Sequence, residues 1–302
     1  MPHGWIILDK PVGLGSTQAV AAVKRNLRQA GYGKKVKVGH GGTLDPLAEG
    51  VLPIAIGEAT KLCGRMLDAS KIYAFTIRFG VETDTLDAEG AVTAHSDHIP
   101  SVADVAGVLP RFTGAIEQMP PAYSALKVDG QRAYDLARAG EEVVLKSRAV
   151  TIRTLDLAES EADAESVTLV AHVSKGTYIR SLARDIAIAL GTVGHVTMLR
   201  RLKAGPFRQE QAISLDKLNE IGTGAPLEDV ILPLEAGLDD IPALSLDPEA
   251  ARAVRQGRVI FGLPQGDGLY WARSGAIPVA LMELSGGDAR VVRGFNLSDV
   301  AE

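Results

Sequence analysis

The segment Val38-Gly39-His40-Gly41-Gly42-Thr43-Leu44-Asp45-Pro46-Leu47-Ala48-Glu49-Gly50 sets one histidine and one aspartate among four glycines. Glycine lets a backbone approach a ligand closely or adopt positive φ. Pro46 drives Asp45 into an extended or turn conformation, away from helix. Such a loop can present a carboxylate to a ligand. It can equally be a glycine-rich turn closed by an Asx-type aspartate. A phosphate-binding loop needs G-x-x-x-x-G-K-[ST], and that spacing does not occur here.

A second concentration is Lys175-Gly176-Thr177-Tyr178-Ile179-Arg180, at the passage from a strand into a helix. Free N–H groups and the positive end of the helix dipole suit this position to an anion. Arg180 falls in the first turn, where a cation opposes the dipole. It must therefore answer a carboxylate or phosphate elsewhere, or stand on the surface. His95-Ser96-Asp97-His98 has metal-ligand residue types but lies in a polar stretch with no element to fix it, so it reads as a loop. Asp84, Asp87 and Glu89 fail the order of a calcium loop and are assigned to turn structure. No G-x-S-x-G elbow announces a serine nucleophile.

These residues need elements to hold them. Trp5-Ile6-Ile7-Leu8 is an apolar run ended by Asp9-Lys10-Pro11, which predicts a buried strand. Ser16 and Thr17 are candidate N-caps for a helix that carries Val20, Val23, Leu27 and Ala30 on one face and ends at Gly31. Residues 33–50 read as a long loop, 51–56 as a buried strand and 58–67 as a helix. Tyr73, Phe75, Ile77 and Phe79 alternate with smaller or polar residues, as in a half-buried strand. Residues 102–112 read as a helix. Residues 150–157 and 167–173 read as a hairpin with an acidic tip, and the helix from Ile179 runs to Gly191. Residues 219–238, with Gly222, Gly224, Pro226 and Pro233, read as a connector. Beyond them come a short helix (248–255) and short strands at 259–261, 269–273, 278–284 and 289–293. The fold class is α+β, with a mixed, largely antiparallel sheet in a body of residues 1–237 and a small C-terminal β-barrel or sandwich in residues 238–302.

Composition narrows the class. The 302 residues are 46% hydrophobic and 23% charged, an ordinary globular balance. Lys+Arg 32 against Asp+Glu 37 gives −5, which argues against a general polycationic nucleic-acid coat. Cys63 stands alone, so disulfide frameworks and cysteine-cluster zinc sites are excluded. No apolar window approaches the ~18 residues of a membrane span. Met1-Pro2-His3-Gly4-Trp5 lacks an export pattern, so the expected address is the cytoplasm. The charge is unevenly spread. Lys24, Arg25, Arg28, Lys34, Lys35 and Lys37 fall in an acid-free stretch, and so do Arg200, Arg201, Lys203 and Arg208. From charge alone these are either solvated faces or a local track for a polyanion.

In chain order these segments resemble a known family, the bacterial tRNA pseudouridine-55 synthases (TruB). The strongest piece is Gly39-His40-Gly41-Gly42-Thr43-Leu44-Asp45-Pro46-Leu47-Ala48, continuing through Gly50 to Gly57-Glu58-Ala59-Thr60-Lys61. It is joined by Asp9-Lys10-Pro11, Lys71-Ile72-Tyr73, Gly80 with Thr83-Asp84-Thr85, and Gln118-Met119-Pro120-Pro121-Ala122-Tyr123-Ser124-Ala125-Leu126-Lys127. Ser174-Lys175-Gly176-Thr177-Tyr178-Ile179-Arg180 and Leu199-Arg200-Arg201-Leu202 complete the set. The resemblance covers essentially the whole chain. Gly15, Val173 and Ala187 depart from the family pattern, none at a catalytic position.

The resemblance implies a tRNA-modifying isomerase. Such an enzyme breaks the N1–C1′ bond of a uridine, turns the uracil and rejoins it through C5, with no redox change and no group donor. No cofactor and no metal are therefore expected. Asp45 becomes the catalytic carboxylate, acting at C1′ as a nucleophile or at C2′ as a base. Arg180 becomes its partner, and Tyr73 stacks on the flipped uracil and moves a proton. Tyr178 and Leu199 line the pocket, and His40 fills the space that the flipped nucleotide leaves in the RNA. The basic runs become the phosphate track, and the C-terminal module becomes a PUA-like RNA-binding domain. The expected partner is the T stem-loop of tRNA, met by a monomer without membrane or obligatory protein partner. Two rivals are an RNA-binding protein without catalysis and a guide-dependent enzyme within a ribonucleoprotein.

Overall fold

The computed structural model describes residues 2–124, 126–128, 131–132, 139, 145–159 and 165–297. Its centre is a ten-stranded sheet. From one edge the order is Leu232–Pro233, Gly4–Lys10, Glu49–Ile56, Gly194–Ala204, Lys71–Phe79, Ser166–Val173, Arg148–Leu157 and Gly114–Gln118. Val38–His40 and Phe207–Arg208 pair to the side. Among the described strands of this sheet one pairing is parallel, Arg200 against Glu49 and Arg201 against Gly50. The chain is thus α+β with a mixed sheet.

The apolar run at 5–8 is continuous because its strand is covered on both faces. Ile6 and Leu8 enter one core with Val23 and Leu27 of the helix Ser16–Gln29, Leu182 and Ile186 of the helix Ile179–Ala189, and Phe75 and Ile77. Trp5 and Ile7 enter a second core with Met66, Phe207, Leu234 and Leu238. Full burial of side chains this large contributes roughly 2–3 kcal/mol each. Trp5 spends its one polar group well: its Nε1 donates to Leu234 O at 3.1 Å.

Several expectations change. The helix cap is Gly15, whose N–H donates to Gln18 Oε1 at 2.7 Å, while the Ser16 hydroxyl is engaged elsewhere. The loop 33–50 contains the strand Val38–His40, paired with Ile54, Ala55 and Ile56. The helix read at 58–67 is a 3-10 turn, Gly57–Leu62, followed by the α-helix Cys63–Asp68. Likewise Val102–Val108 is α-helical and Leu109–Phe112 continues as a 3-10 turn, because Pro110 has no N–H to carry the α ladder. The central strand Gly194–Ala204 falls in the acid-free basic stretch and was not anticipated. The supposed connector is packed structure. It begins within the helix Leu215–Gly222, pairs Leu232–Pro233 with Trp5 and Gly4, and buries Leu227, Leu234 and Leu238. Residues 161 and 163 of the acidic tip lie outside the described residues.

The C-terminal strands are Ala243–Ser245, Gly268–Ser274, Ile277–Ser285 and Asp288–Gly294, hydrogen-bonded in that order. The helix Pro248–Arg255 lies between the first two in sequence, where its capping Asp247 accepts from Ala250 N–H. Residues 259–261 form no strand, only an isolated bridge from Ile260 to Ala289. Among the described residues the pairing closes no barrel. Ile241, Leu281 and Phe295 of this half join the core that contains Trp5 and Leu234, so the sheet and the module share one apolar interior across residue 238.

Candidate active site

The glycine-rich loop is held from below by two buried cations and a serine. Arg201 is 1% exposed; its Nε donates to Val51 O at 2.7 Å, Nη1 to Thr43 O at 3.2 Å and Nη2 to Gly42 O at 3.1 Å. Lys10 is fully buried, and its ammonium serves the carbonyls of Pro11, Leu14 and Pro46. The Ser16 hydroxyl both donates to Leu44 O at 2.9 Å and accepts from Leu44 N–H at 2.8 Å. Gly50 has φ +98°, and a Cβ there would collide with the carbonyl oxygen of Arg201, so the parallel pairing requires glycine. These contacts satisfy the irregular backbone on either side of Asp45. They also correct the reading of Arg201 as a phosphate contact, since its guanidinium faces inward onto carbonyls. Arg200 is engaged by Asp9 at 2.9 Å and Glu49 at 3.3 Å.

Asp45 stands half-exposed on this support, and its Oδ2 lies 2.9 Å from Arg180 Nη2. Arg180 is 7% exposed and occupies the first turn of the helix Ile179–Ala189. Nη2 also donates to Tyr123 O at 3.0 Å, and Nη1 to Thr85 O at 2.8 Å. Nη1 further pairs with Asp87 Oδ2 at 3.2 Å. The anion that Arg180 demands is therefore a pair of carboxylates, one half-exposed and one buried.

Asp87 is the functional residue that the sequence reading assigned to a turn. It serves both purposes. Oδ1 accepts from Thr85 Oγ1 at 2.6 Å and Glu89 N–H at 3.1 Å, which builds the turn, while Oδ2 faces the guanidinium. Leu86, between the two contributors to Arg180, takes φ +62°, the one positive value at a non-glycine among the described residues. This unusual backbone lets the Thr85 carbonyl and the Asp87 carboxylate reach the same nitrogen. Asp84 is a turn residue, accepting from Ala91 N–H at 2.9 Å.

Asp45 and Arg180 open into a cavity of about 310 Å³ whose walls include Tyr73, Tyr178 and Leu199. Tyr73 projects from the strand Lys71–Phe79 at a register between Ala171 and Arg201. Tyr178 is the residue preceding the Arg180 helix. The fully buried Gln118 side chain grips its backbone, accepting from Tyr178 N–H at 2.7 Å and donating to its carbonyl at 3.1 Å. Arg148 lies 5.1 Å from the Tyr178 ring centroid, within cation–π range. Leu199, on Gly194–Ala204, is 8% exposed. Lys71 closes the cavity on the side of the helix Cys63–Asp68, where its ammonium caps the carbonyls of Met66, Leu67 and Ala69. Burial pushes the Lys10 and Lys71 ammonium groups down to about 8.

His40 is not part of the cavity wall. It ends the strand Val38–His40, and its Nδ1 accepts from Gly42 N–H at 3.3 Å. Burial, then the nearby Arg201 charge, hold it below the usual imidazole range, so the ring is neutral at pH 7. The geometry thus gathers Asp45, Tyr73, Tyr178, Arg180 and Leu199 around one space and places His40 on the adjoining rim of the loop. A carboxylate paired with a buried guanidinium, facing a narrow space with aromatic walls, is equipped to attack or deprotonate a flat ring-bearing substrate.

Residues 27–179 match the family described as TruB family pseudouridylate synthase (N terminal domain), and residues 180–239 match tRNA pseudouridylate synthase B C-terminal domain. The chain is 74% identical to tRNA pseudouridine synthase B of Novosphingobium aromaticivorans over 305 aligned positions, covering 100% of both chains. It is 59% identical to the protein of that name from Zymomonas mobilis, covering 97% of this chain and 96% of that one. Among solved structures, an H/ACA RNP bound to a substrate RNA containing 2′-deoxyuridine is similar with a TM-score of 0.73 and 25% identity, over 98% of this chain and 86% of that one.

Proposed function

The chain belongs to the TruB family of pseudouridylate synthases, and from that premise we propose that it isomerises uridine 55, in the T loop of tRNA, to pseudouridine. Relatives named for the tRNA reaction match over 100% and 96% of their length at 74% and 59% identity, which favours a tRNA substrate over a guide-dependent one. The observation that carries the chemistry is the Asp45–Arg180 contact at 2.9 Å on the wall of a cavity shared with Tyr73.

The target base must first leave its stack, at a cost of a few kcal/mol. His40, neutral and on the rim, fills the gap it leaves. In the cavity the uracil stacks on Tyr73, with Tyr178 and Leu199 closing the walls. Arg180 holds Asp45 in place and aims it at the ribose. The N1–C1′ bond breaks as Asp45 either bonds to C1′ or takes the C2′ proton. The uracil then turns and C5 bonds to C1′ as the Asp45–C1′ bond breaks or Asp45 returns its proton to C2′, and the proton lost from C5 is balanced by one gained at N1. Tyr73 is placed to carry a proton in this exchange. No electron or group enters or leaves.

The exposed Lys24, Arg25, Arg28, Lys34, Lys35 and Lys37 form the phosphate track. Residues 1–237 form the catalytic body, and residues 238–302 a PUA-like module that adds RNA contact. Among the described residues no helix is long and apolar enough to cross a membrane. We take the protein to act as a cytoplasmic monomer without an obligatory protein partner. The test is incubation of the purified protein with an unmodified tRNA transcript, followed by carbodiimide mapping. The expected result is a single reverse-transcription stop at the T-loop uridine. Absence of any stop overturns the reading.

A further inference from the structure

We propose that the Ser124 hydroxyl is a substrate contact that hydrogen-bonds the flipped uridine. The inference rests on the isomerase reading and assigns one more group to the same cavity. Ser124 lines the space that contains Asp45, yet the residue is only 3% exposed and its Oγ has no hydrogen-bond partner among the described residues. A buried hydroxyl in this state bears its desolvation penalty without return. Unpaired polar groups of this kind are rare in folded proteins and call for an explanation.

The position of Ser124 supplies one. Its neighbour Tyr123 donates no slack to the chain: the Tyr123 carbonyl accepts from Arg180 Nη2 at 3.0 Å, the nitrogen that holds Asp45. The Ser124 N–H is in turn bonded to Ala122 O at 3.0 Å. The hydroxyl is therefore anchored one peptide from the clamp on the reacting carboxylate. A serine hydroxyl both donates and accepts. A flipped uridine brings two carbonyl oxygens, one imide N–H and a ribose 2′-hydroxyl, each able to complete it. Site polar groups that are satisfied by substrate alone confer discrimination, because an analogue lacking the matching group leaves them unpaired. Ser181 Oγ is also buried and unpartnered, but Ser181 does not line the cavity, which makes it an internal control.

The experiment compares Ser124→Ala and Ser181→Ala in the full chain with wild type, using a T-stem-loop RNA. Deleting an unpaired hydroxyl leaves the thermal midpoint unchanged or raised in both variants. The contact requires about a tenfold loss of kcat/KM in Ser124→Ala alone, the size of one hydrogen bond realised with substrate. A stem-loop carrying 2′-deoxyuridine at the target then locates the partner by binding affinity. A gap between wild type and Ser124→Ala that persists assigns the contact to the base, and one that closes assigns it to the ribose. Ser124→Ala within twofold of wild type, or with a lowered midpoint, overturns the proposal. Failure of wild type itself to convert the stem-loop would instead overturn the isomerase reading, and the contact with it.

Discussion

Asp87 Oδ2 stands 3.2 Å from Arg180 Nη1, the nitrogen that Asp45 does not use. One buried guanidinium is thus shared between the buried Asp87 carboxylate and the half-exposed Asp45 carboxylate. The arrangement separates positioning from chemistry: Asp87 and the carbonyls of Thr85 and Tyr123 set the fork, and the fork sets Asp45.

Asp87→Asn keeps the shape of the side chain and removes its charge. Loss of one charge-assisted contact of about 2 kcal/mol should lower kcat/KM roughly 30-fold, with RNA affinity little changed. Asp87→Ala should also cost about 3 kcal/mol of stability, because it removes one partner of a buried pair. Single-turnover kinetics and urea midpoints check the two effects separately.

Salt dependence distinguishes the inward arginine from the outward lysines. If Lys34 and Lys35 contact phosphates, replacing either with alanine should reduce the slope of log affinity against log salt by ~0.7. Arg201→Met should leave that slope at the wild-type value, since its guanidinium is committed to Val51, Thr43 and Gly42 carbonyls. Filter binding across a salt series reads both. A reduced slope in Arg201→Met would contradict the buried role.

Stability should carry a signature of the buried ammonium groups. Folded Lys10 and Lys71 titrate at about 8, against an ordinary value of 10.5. Between those values the unfolded chain binds more protons than the folded one, so unfolding free energy rises with pH across that window. Below pH 8 both groups are charged in both states and add no slope. Lys71→Met should flatten the rise between pH 8 and 10.5, measured by urea denaturation. Turnover should fall over the same range as Lys10, the buried cation beside Asp45, loses its charge.

Truncation after Leu238 removes Ile241, Leu281 and Phe295 from the core that contains Trp5 and Leu234. The exposed apolar face should make the body self-associate in gel filtration. The shared core makes the module a cap on the sheet as well as the proposed RNA contact. A monodisperse truncation that converts an isolated stem-loop would contradict that capping role.

Periodicity was enough to read the strand at 5–8, the helix carrying Val23 and Leu27, and the alternating strand of Phe75 and Ile77, because each has a local pattern set by the faces it buries. The strand Gly194–Ala204 was illegible since Arg200 and Arg201 resemble surface charge, and only the folded chain reveals that Arg201 serves carbonyls of a distant loop. Asp87 satisfied a local turn rule completely, so nothing local pointed to its second oxygen. The residues alone left the Asp45 loop open between a turn and a catalytic element. The family resemblance named Asp45, Tyr73, Tyr178, Arg180 and Leu199 together, and the fold brings those side chains to one cavity.

Asp45 carries the central claim, and Asp45→Asn tests it most directly. The amide keeps the volume and a hydrogen-bonding oxygen toward Arg180 but is neither a competent nucleophile nor a base. The variant should fold with an unchanged thermal midpoint, bind the T stem-loop within a few-fold of wild type, and form no pseudouridine when tRNA is incubated and mapped with carbodiimide. Turnover of Asp45→Asn above the uncatalysed background would contradict the account.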